Sequence, residues 1–187
     1  MDEIVRSETE KYRLAHAKAY RDARSQGLQV APYALRWARR LGARSVTDWG
    51  SGTGVARDLF RSSGFRSVGI DLVPEEAGDE RAETWTGTIW DPPDDFPITD
   101  FAFSADVLEH LPPDKVLEAV ASIRDHTRLG GWMQISTRPD RLGSKIGETL
   151  HLTVRPSGWW EAELSRCFSV VRVVHTKKSQ VRLWLRR

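Results

Sequence analysis

Three glycines, each two residues from the next, directly follow a short apolar segment of the chain. Gly50, Gly52 and Gly54 come after residues 45–49, SVTDW, whose composition predicts a short buried strand. Glycine at such a point lets the backbone turn sharply and lets a ligand lie against the main chain. Asp71 ends the next apolar segment, where a carboxylate can accept hydrogen bonds from both ribose hydroxyls of a nucleoside. The pattern therefore predicts a nucleoside-like ligand at the end of the first strand.

The spacing of the glycines distinguishes between classes of nucleotide site. A dinucleotide fingerprint has the form G-x-G-x-x-G, whereas this chain has G-x-G-x-G, which disfavours an oxidoreductase that uses a dinucleotide. A phosphate-binding P-loop requires Gly-Lys followed by Ser or Thr, and that sequence is absent. Neither of these two phosphate-binding turns accounts for the motif.

The order D-x-G-x-G-x-G, followed by an acid at the end of the second strand, resembles the class I S-adenosylmethionine-dependent methyltransferases. Residues 69–71 (GID), residues 106–111 (DVLEHL) and the glycine pair 130–131 also match segments of that family. The resemblance covers nearly the whole chain, and it implies methyl transfer with S-adenosylmethionine as the cofactor.

By this resemblance, the cofactor is bound from several parts of the chain. Asp48 or the amides of the glycine turn face its methionine end, and Asp71 faces its ribose. The family often has an acid after the third strand that meets the adenine, but here no acid directly follows the glycine at that point. Ile89 and Trp90 are expected to enclose the ring instead, with packing of Trp90 in the core as the alternative. The residues expected to bind the cofactor are Asp48, Gly50, Ser51, Gly52, Gly54, Asp71, Leu72, Ile89, Trp90, Ala105, Tyr12 and His16.

Tyr12 and His16 are four residues apart and therefore share one face of a predicted N-terminal helix. Some compact methyltransferases begin with a helix that carries Tyr and His and lies over the cofactor. The sequence H-L-T and the paired tryptophans further along the chain are similar to that group. The alternative is a helix face that only packs on the domain.

A cluster of ionisable residues follows the predicted fourth strand. Asp106, Glu109 and His110 are three and four positions apart, so on a helical turn they would share one face. His151 comes 41 residues after His110, beyond the fifth strand and on the same rim. Carboxylates and imidazoles suit a divalent ion such as Mg, Mn, Fe or Zn. These four residues are therefore the candidate ligands of a metal beside the transferable methyl group.

This cluster resembles two metal-dependent groups, the small-RNA 3′-terminal 2′-O-methyltransferases and the ubiquinone-biosynthesis O-methyltransferases. Both carry E-x-x-E-H, and the chain departs from them by having Asp106 in the first place. The ion would bind a substrate hydroxyl, lower its pKa and orient it towards the sulfonium. In the alternative, Glu109 and His110 only stabilise the loop, and no metal is bound. The catalytic candidates are then His151 or His110 as general base, with Asp106 beside them.

Apolar runs of strand length alternate with helical segments along the chain. The predicted strands are residues 45–49, 66–71, 84–90, 99–104, 132–137, 168–175 and 180–185. The predicted helices are residues 2–25, 32–41, 55–63, 112–128 and 156–166. This alternation predicts an α/β fold, a Rossmann-like seven-stranded mostly parallel sheet with helices on both faces. The last two strands have no helix between them and are expected to form an antiparallel edge hairpin.

The length of 187 residues suits one domain with a hydrophobic core. We expect a single methyltransferase domain over residues 1–187. Residues 1–42 would form N-terminal helices that cover the cofactor and substrate cleft, and residues 43–187 would form the Rossmann-like core.

The composition of the chain bears on its cellular compartment and on the classes of partner that it could bind. One cysteine, Cys167, fits a reducing compartment, no apolar run reaches the roughly 20 residues of a membrane span, and the N-terminus has no apolar signal core. We therefore expect a cytoplasmic protein without a membrane partner. The formal net charge of +2 is too small to argue for nucleic acid.

The acceptor is expected to be a hydroxyl of a small or nucleotide-like molecule. Arg138, Arg141 and the pair Trp159-Trp160 would suit a ring-bearing anion, although core packing of the tryptophans is favoured. Nucleic acid is not favoured as a substrate. Two alternatives stay open, a cofactor-binding partner subunit without its own catalysis and an N-methyltransferase that needs no metal.

Overall fold

The computed structural model of the protein describes residues 3–18, 26–73, 83–177 and 179–187. The helices in these ranges are α1 (Glu3–Lys18), α2 (Gln26–Arg40), α3 (Val55–Ser62), α4 (Val116–Asp125) and α5 (Ser157–Ser165). The strands are β1 (Ser45–Trp49), β2 (Arg66–Asp71), β3 (Thr84–Thr86), β4 (Thr99–Ala105), β5 (Thr127–Ser136), β6 (Val170–Lys177) and β7 (Gln180–Arg186). Short 3-10 turns cover Leu108–His110 and Gly143–Lys145.

The seven strands form one sheet in the order β3-β2-β1-β4-β5-β7-β6. The first five strands pair in parallel, and β7 is antiparallel to both β5 and β6. The predicted Rossmann-like sheet with an antiparallel edge hairpin is confirmed. From β1 the chain builds the sheet in one direction through β2 and β3, and β4 then continues it on the other side of β1. Ligands bind at such a switch point in open α/β sheets.

Each face of the sheet carries its own hydrophobic core because side chains alternate along the strands. Val46, Phe101 and Phe103 pack with α2 and α3 on one face. Trp49 and Ala102, from the same two strands, pack with α4 and α5 on the other face. The two cores fix the sheet between helices, so the carboxyl ends of the parallel strands are held at one rigid edge.

Helix α2 begins six residues earlier than its predicted start at Pro32. Val30 and Ala31 are buried with the later apolar residues of the helix, so the apolar face extends through Pro32 rather than beginning there. Proline is typical of the first turn of a helix, but here burial of the preceding turn outweighs the hydrogen bond that Pro32 cannot donate. Residues 26 and 27, which follow the predicted end of the first helix at residue 25, are the first residues of α2.

Two strands differ in length from their predictions. The third strand, predicted over residues 84–90, pairs with β2 only over Thr84–Thr86, and the chain then leaves the sheet. The fifth strand begins at Thr127, so Gly130 and Gly131 lie inside it rather than before it. A Cβ on Gly130 would overlap the backbone of Leu185 in β7, so close approach of two strands requires this glycine.

Part of the predicted N-terminal helix falls outside the described residues. Helix α1 covers 3–18, whereas residue 2 and residues 19–25, which include Tyr20, are not described. Lys178, in the turn of the predicted hairpin, also lies outside the described residues. Among the described helices, none combines the length and the apolar character needed to cross a membrane.

Candidate active site

The glycine turn between β1 and α3 has the left-handed backbone that its sequence predicts. Gly50, Gly52 and Gly54 have φ angles of 77°, 49° and 74°. The amides of Gly50 and Ser51 both donate to the carbonyl oxygen of Ile70, at 2.9 and 3.0 Å, which joins the turn to β2. A Cβ on Gly50 would overlap the side chain of Val107, so the loop after β4 also closes onto this glycine.

Asp71 fastens the turn from the end of β2. Its Oδ2 accepts a hydrogen bond from the amide of Gly52 at 2.8 Å, and its Oδ1 accepts one from the amide of Val73 at 2.9 Å. Each carboxylate oxygen can accept a second hydrogen bond, so Asp71 can still bind a diol. Asp71 therefore lies against the glycine turn, and its binding of the ribose stays a prediction.

A cavity of about 970 Å³ opens at this edge of the sheet. Its walls come from the glycine turn, the ends of β2 and β4, helix α1 and the loop after β5. Of the residues predicted for the cofactor, those lining it are Tyr12, His16, Asp48, Gly50, Ser51, Gly52, Asp71, Leu72, Ile89, Trp90 and Ala105. Gly54 does not line the cavity, because it lies at the N-terminus of α3 and shapes the turn instead.

Asp48 lies at the floor of the cavity with 3% of its surface exposed. Its Oδ2 accepts a hydrogen bond from the amide of Arg57 at 3.1 Å. Burial raises the pKa of Asp48 to about 7, and the nearby carboxylate of Asp71 acts in the same direction. A cationic ligand group beside Asp48 would favour its ionised form.

Arg57 is a structural residue of the site that the sequence reasoning did not identify. Its guanidinium is buried and pairs with Asp58 at 3.1 Å while donating to the hydroxyl of Thr84 in β3. A Cβ on Gly54 would overlap this guanidinium. Arg57 therefore ties the first helical turn of α3 to β3, and only the fold brings these residues together.

The two residues predicted to enclose the adenine have different environments. Ile89 is buried in the core beneath the cavity wall, whereas Trp90 is partly buried against that core. Both line the cavity. The side chain of Trp90 therefore packs against the core and also lines the cavity, so the two predicted alternatives for this residue are compatible.

Helix α1 covers one side of the cavity. Glu8, Tyr12 and His16 line it from successive turns of the helix. The ring of Tyr12 meets the ring of His110 edge-on, with centroids 5.8 Å apart. Tyr12 and His16 thus lie on one face of α1, as their spacing predicts, and that face lines the cavity.

Three of the four candidate metal ligands meet at the wall of this cavity, which His110 and His151 line, whereas Glu109 is fully buried and does not line it. Glu109, His110 and His151 each offer one ligand atom, and these atoms lie within 4.8 Å of one another. The rings of His110 and His151 are nearly perpendicular, with centroids 4.7 Å apart. Residues separated by 41 positions are therefore brought together by the loop that follows β5.

Each of these three residues forms one hydrogen bond with the backbone and keeps one further atom that can bind a metal. Nδ1 of His110 lies 3.0 Å from the carbonyl oxygen of Leu150, and Nδ1 of His151 lies 2.6 Å from that of Arg138. A carbonyl only accepts, so in the neutral rings Nδ1 carries the proton and Nε2 is the acceptor. Oε1 of Glu109 accepts from the amide of Ser136 at 2.8 Å, and Oε2 is buried without a partner among the described residues.

Burial controls the charge of the two inner members of the cluster. Glu109 has no exposed surface, and burial raises its pKa well above the usual value, with Asp106 acting in the same direction. Burial lowers the pKa of His110 to about 3, with His151 also lowering it. His110 is therefore neutral at physiological pH, which is the form that binds metals or accepts protons.

Asp106 lies outside this group. The helical turn begins only at Leu108, and Asp106 precedes it with a φ of 55°, so the expected shared helical face does not reach this residue. Its Oδ1 instead accepts a hydrogen bond from Nε2 of Gln134 at 3.1 Å. Burial raises the pKa of Asp106, although this hydrogen bond opposes the shift.

Asp140 is a second residue that the sequence reasoning missed. Its carboxylate accepts hydrogen bonds from the amides of Gly143, Leu150 and His151, at 2.5, 3.0 and 3.4 Å. Burial opposes its ionisation, but these hydrogen bonds outweigh burial and lower its pKa. Asp140 closes the loop that carries His151, and an Asp three residues before a Gly is the local signal for such a turn.

The model of one protein family, described as a methyltransferase domain, matches residues 15–172 of the chain. The sequence comparison with curated proteins found no match.

Several solved structures share the fold. The 1,6-didemethyltoxoflavin-N1-methyltransferase of Burkholderia thailandensis is 18% identical with a TM-score of 0.69, and the match covers 100% of this chain and 91% of that one. DhpI, solved with SAH, is 20% identical with a TM-score of 0.71, over 97% of this chain and 96% of that one. The sugar N-methyltransferase KedS8 of Streptoalloteichus sp. is 17% identical with a TM-score of 0.68, over 90% and 91%. At these identities, the likeness concerns the fold.

Proposed function

The chain belongs to the family of methyltransferase domains and is a class I enzyme dependent on S-adenosylmethionine; from this premise we propose that its acceptor is a hydroxyl group of a small or nucleotide-like molecule. We further propose that a divalent ion bound by Glu109, His110 and His151 assists the transfer. The observation that carries the proposal is the cluster of these three residues, of which His110 and His151 line the cavity that opens at the glycine turn.

The cofactor site has residues suited to each part of the cofactor. Gly50 and Gly52 present backbone without side chains to the cavity, so a ligand can lie against the main chain, and Asp71 keeps acceptor capacity for the ribose hydroxyls. Asp48 is a buried carboxylate that an amino group of the methionine end would neutralise. S-adenosylmethionine supplies the methyl group as a sulfonium, and these residues bind and orient it.

The Glu109 cluster has the features of a metal site. Histidines that bind a metal commonly donate their other ring N–H to a backbone carbonyl, and both His110 and His151 do so. Oε2 of Glu109 is buried without a described partner, which is costly unless a cation or a proton occupies it. A divalent ion held there would act as a Lewis acid that lowers the pKa of an acceptor hydroxyl.

The protein itself would position the reacting groups and exclude water from them. Asp140 holds the loop of His151 in place, and Tyr12 packs against His110 from helix α1. Helix α1 then keeps water from one side of the cavity. Asp106 lies beside the cluster but is oriented by Gln134, so we assign it to the electrostatics of the acceptor end rather than to metal binding.

The proposal is tested by metal binding and by its loss in variants. After treatment with EDTA, addition of Mg²⁺, Mn²⁺, Fe²⁺ or Zn²⁺ should raise the melting temperature of the SAH-bound protein. His110→Ala and His151→Ala should each weaken metal binding more than the roughly 10–100-fold that loss of an outer-shell partner costs. His175→Ala, which removes a histidine that does not line the cavity, is the matched control and should bind metal like the parent.

The acceptor is tested by following SAH release with panels of hydroxyl and amine compounds. Turnover of hydroxyl compounds that stops with EDTA and returns with the metal supports the proposal. If His110→Ala and His151→Ala bind metal like the parent, the metal site does not exist.

An N-methyltransferase that needs no metal is the second candidate. The neutral His110 supports it, because its Nε2 can accept a hydrogen bond from an amine and orient it without binding a metal. Turnover of amines that is indifferent to EDTA would select it. SAH binding without turnover of any compound would favour a cofactor-binding partner subunit.

We also propose that the chain acts as a single domain in the cytoplasm. The proposal is supported by one cavity that is lined by predicted cofactor residues and also by His110 and His151 of the Glu109 cluster. Fractionation of cells that express a tagged chain would test the location.

A further inference from the structure

A second groove lies between helix α2 and the strands of the antiparallel edge. It has a volume of about 480 Å³ and is separate from the methyl-transfer cavity, with no lining residue in common. We call it the arginine–tryptophan groove, and the residues that define it are Tyr33, Arg36, Trp37 and Arg40 of α2, Trp132 of β5 and Arg182 of β7.

The described side chains that line this groove carry positive charge and no negative charge. Three guanidinium groups line it, and no carboxylate does so among the described residues. Arg40 lies over the ring of Trp37 at 5.0 Å, and Arg182 lies over the ring of Tyr33 at 5.5 Å. Arg36 and Arg40 are exposed and form no ion pair with a described residue. Charge complementarity therefore calls for an anion.

The groove also carries buried hydrogen-bonding groups without partners. Trp132 is 4% exposed, and its Nε1 forms no hydrogen bond with a described residue. The same holds for Nε2 of His175, which lines the groove. Indole nitrogens only donate, so a ligand rich in acceptors would satisfy them.

Aromatic faces add a preference for a planar ring. Tyr33 is half exposed, and its ring lies nearly parallel to that of Trp132, with 12° between their planes. Aromatic rings that alternate with arginines bind bases by stacking and phosphates by charge-assisted hydrogen bonds. The volume of the groove lies within the range of small-molecule sites.

We propose that the arginine–tryptophan groove binds a nucleotide, with its phosphate on Arg36 and Arg40 and its base on the aromatic rings. This is a site for a second ligand, distinct from the cofactor and the methyl acceptor. A mononucleotide-sized occupant fits the groove better than a long strand, because the groove is short and bounded by β6 at its far side.

One lining residue also reaches towards the methyl-transfer cavity. Nε of Arg182 donates to Oε1 of Gln134 at 2.7 Å, and Gln134 in turn donates to Asp106 at 3.1 Å. Gln134 is 1% exposed and belongs to β5, which lies between β4 and β7, so this connection runs through the sheet rather than through solvent. Variants of Arg182 would therefore affect both sites and are not used to test the groove.

The test is calorimetric titration of the full chain, kept saturated with SAH so that the cofactor site is closed to the titrant. The titrants are AMP, adenosine, inorganic phosphate and a single-stranded DNA of about ten nucleotides. We expect AMP to bind at one site per chain, and adenosine and phosphate to bind more weakly than AMP. Arg36→Ala and Arg40→Ala should each weaken AMP binding about tenfold.

Arg39→Ala is the matched control, because it removes an exposed arginine from the same helix. Arg39 does not line the groove, and its guanidinium donates to the carbonyl oxygen of Ser63 at 3.4 Å. An equal loss of affinity in Arg39→Ala would overturn the proposal, since net charge alone would then explain binding. Absence of AMP binding, phosphate binding as tight as AMP, or binding of the DNA alone would overturn it as well.

Discussion

Asp71 is a residue with two roles, because the carboxylate that is expected to bind the ribose also holds the glycine turn. Asp71→Ala should weaken SAH binding by roughly 1–3 kcal/mol, since two ribose hydroxyls and the amide of Gly52 lose an acceptor. Calorimetry with SAH measures the effect. Asp91→Ala, which removes an exposed carboxylate that does not line the cavity, should leave the affinity unchanged. An unaltered affinity in Asp71→Ala would mean that the cofactor does not contact the end of β2.

Asp48 makes stability depend on pH at the same site. Its folded-state pKa of about 7 lies above the usual value of 3.8, so protonation favours the folded form. The contribution is fully present below the unfolded value and is lost as pH rises through the folded one. The unliganded protein should therefore lose stability between about pH 4 and pH 7 through this residue.

The substitution Asp48→Asn removes that dependence, because an amide does not titrate. The free energy of unfolding of the variant, relative to the parent, should rise by about 1–3 kcal/mol between pH 5 and pH 8. Denaturant titrations at both values, without cofactor, measure the difference. Parallel pH profiles for the two proteins would show that Asp48 is ionised throughout.

At the scale of the elements, the turn between β1 and α3 keeps its backbone conformation only if its first residue, Gly50, has no side chain. Gly50→Ala should destabilise the protein by about 2–4 kcal/mol, because a left-handed backbone and an overlap with Val107 act together. Gly42→Ala isolates the backbone effect, since Gly42 has a φ of 72° with open space around it. Chemical denaturation of both variants compares them. Equal losses would mean that Val107 moves aside at no cost.

The ends of the elements depend on packing partners that lie far away in the sequence. The predicted fifth strand begins at residue 132, after the glycine pair 130–131, yet both glycines are paired inside the strand. Glycine is required at both positions because Leu185 and Ala102 of the neighbouring strands approach closely, and local propensity gives no information on such distant contacts. Pro32 was likewise a local signal for a helix start, and burial of Val30 and Ala31 overrides it.

At the scale of the whole molecule, one sheet joins the parallel strands to the edge hairpin. Strand β7 lies between β5 and β6, so the end of the chain completes the core of the earlier strands. We therefore expect thermal unfolding in a single transition, with tryptophan fluorescence and far-UV circular dichroism changing together. Two separate transitions would contradict a single domain.

The sequence by itself determined the features whose signals are local. The glycine turn, Asp71, the alternation of strands with helices and the antiparallel edge depend on spacing within a few residues or on period, and the structure has each of them. The family followed from these same motifs.

Only the tertiary structure decided which distant side chains meet. His151 reaches His110 because Asp140 folds the loop after β5, whereas Asp106 turns towards Gln134 because its backbone leaves the helical path. The arginine–tryptophan groove likewise combines residues from α2, β5, β6 and β7. Such meetings depend on the path of the chain across the sheet, and spacing along the sequence does not encode that path.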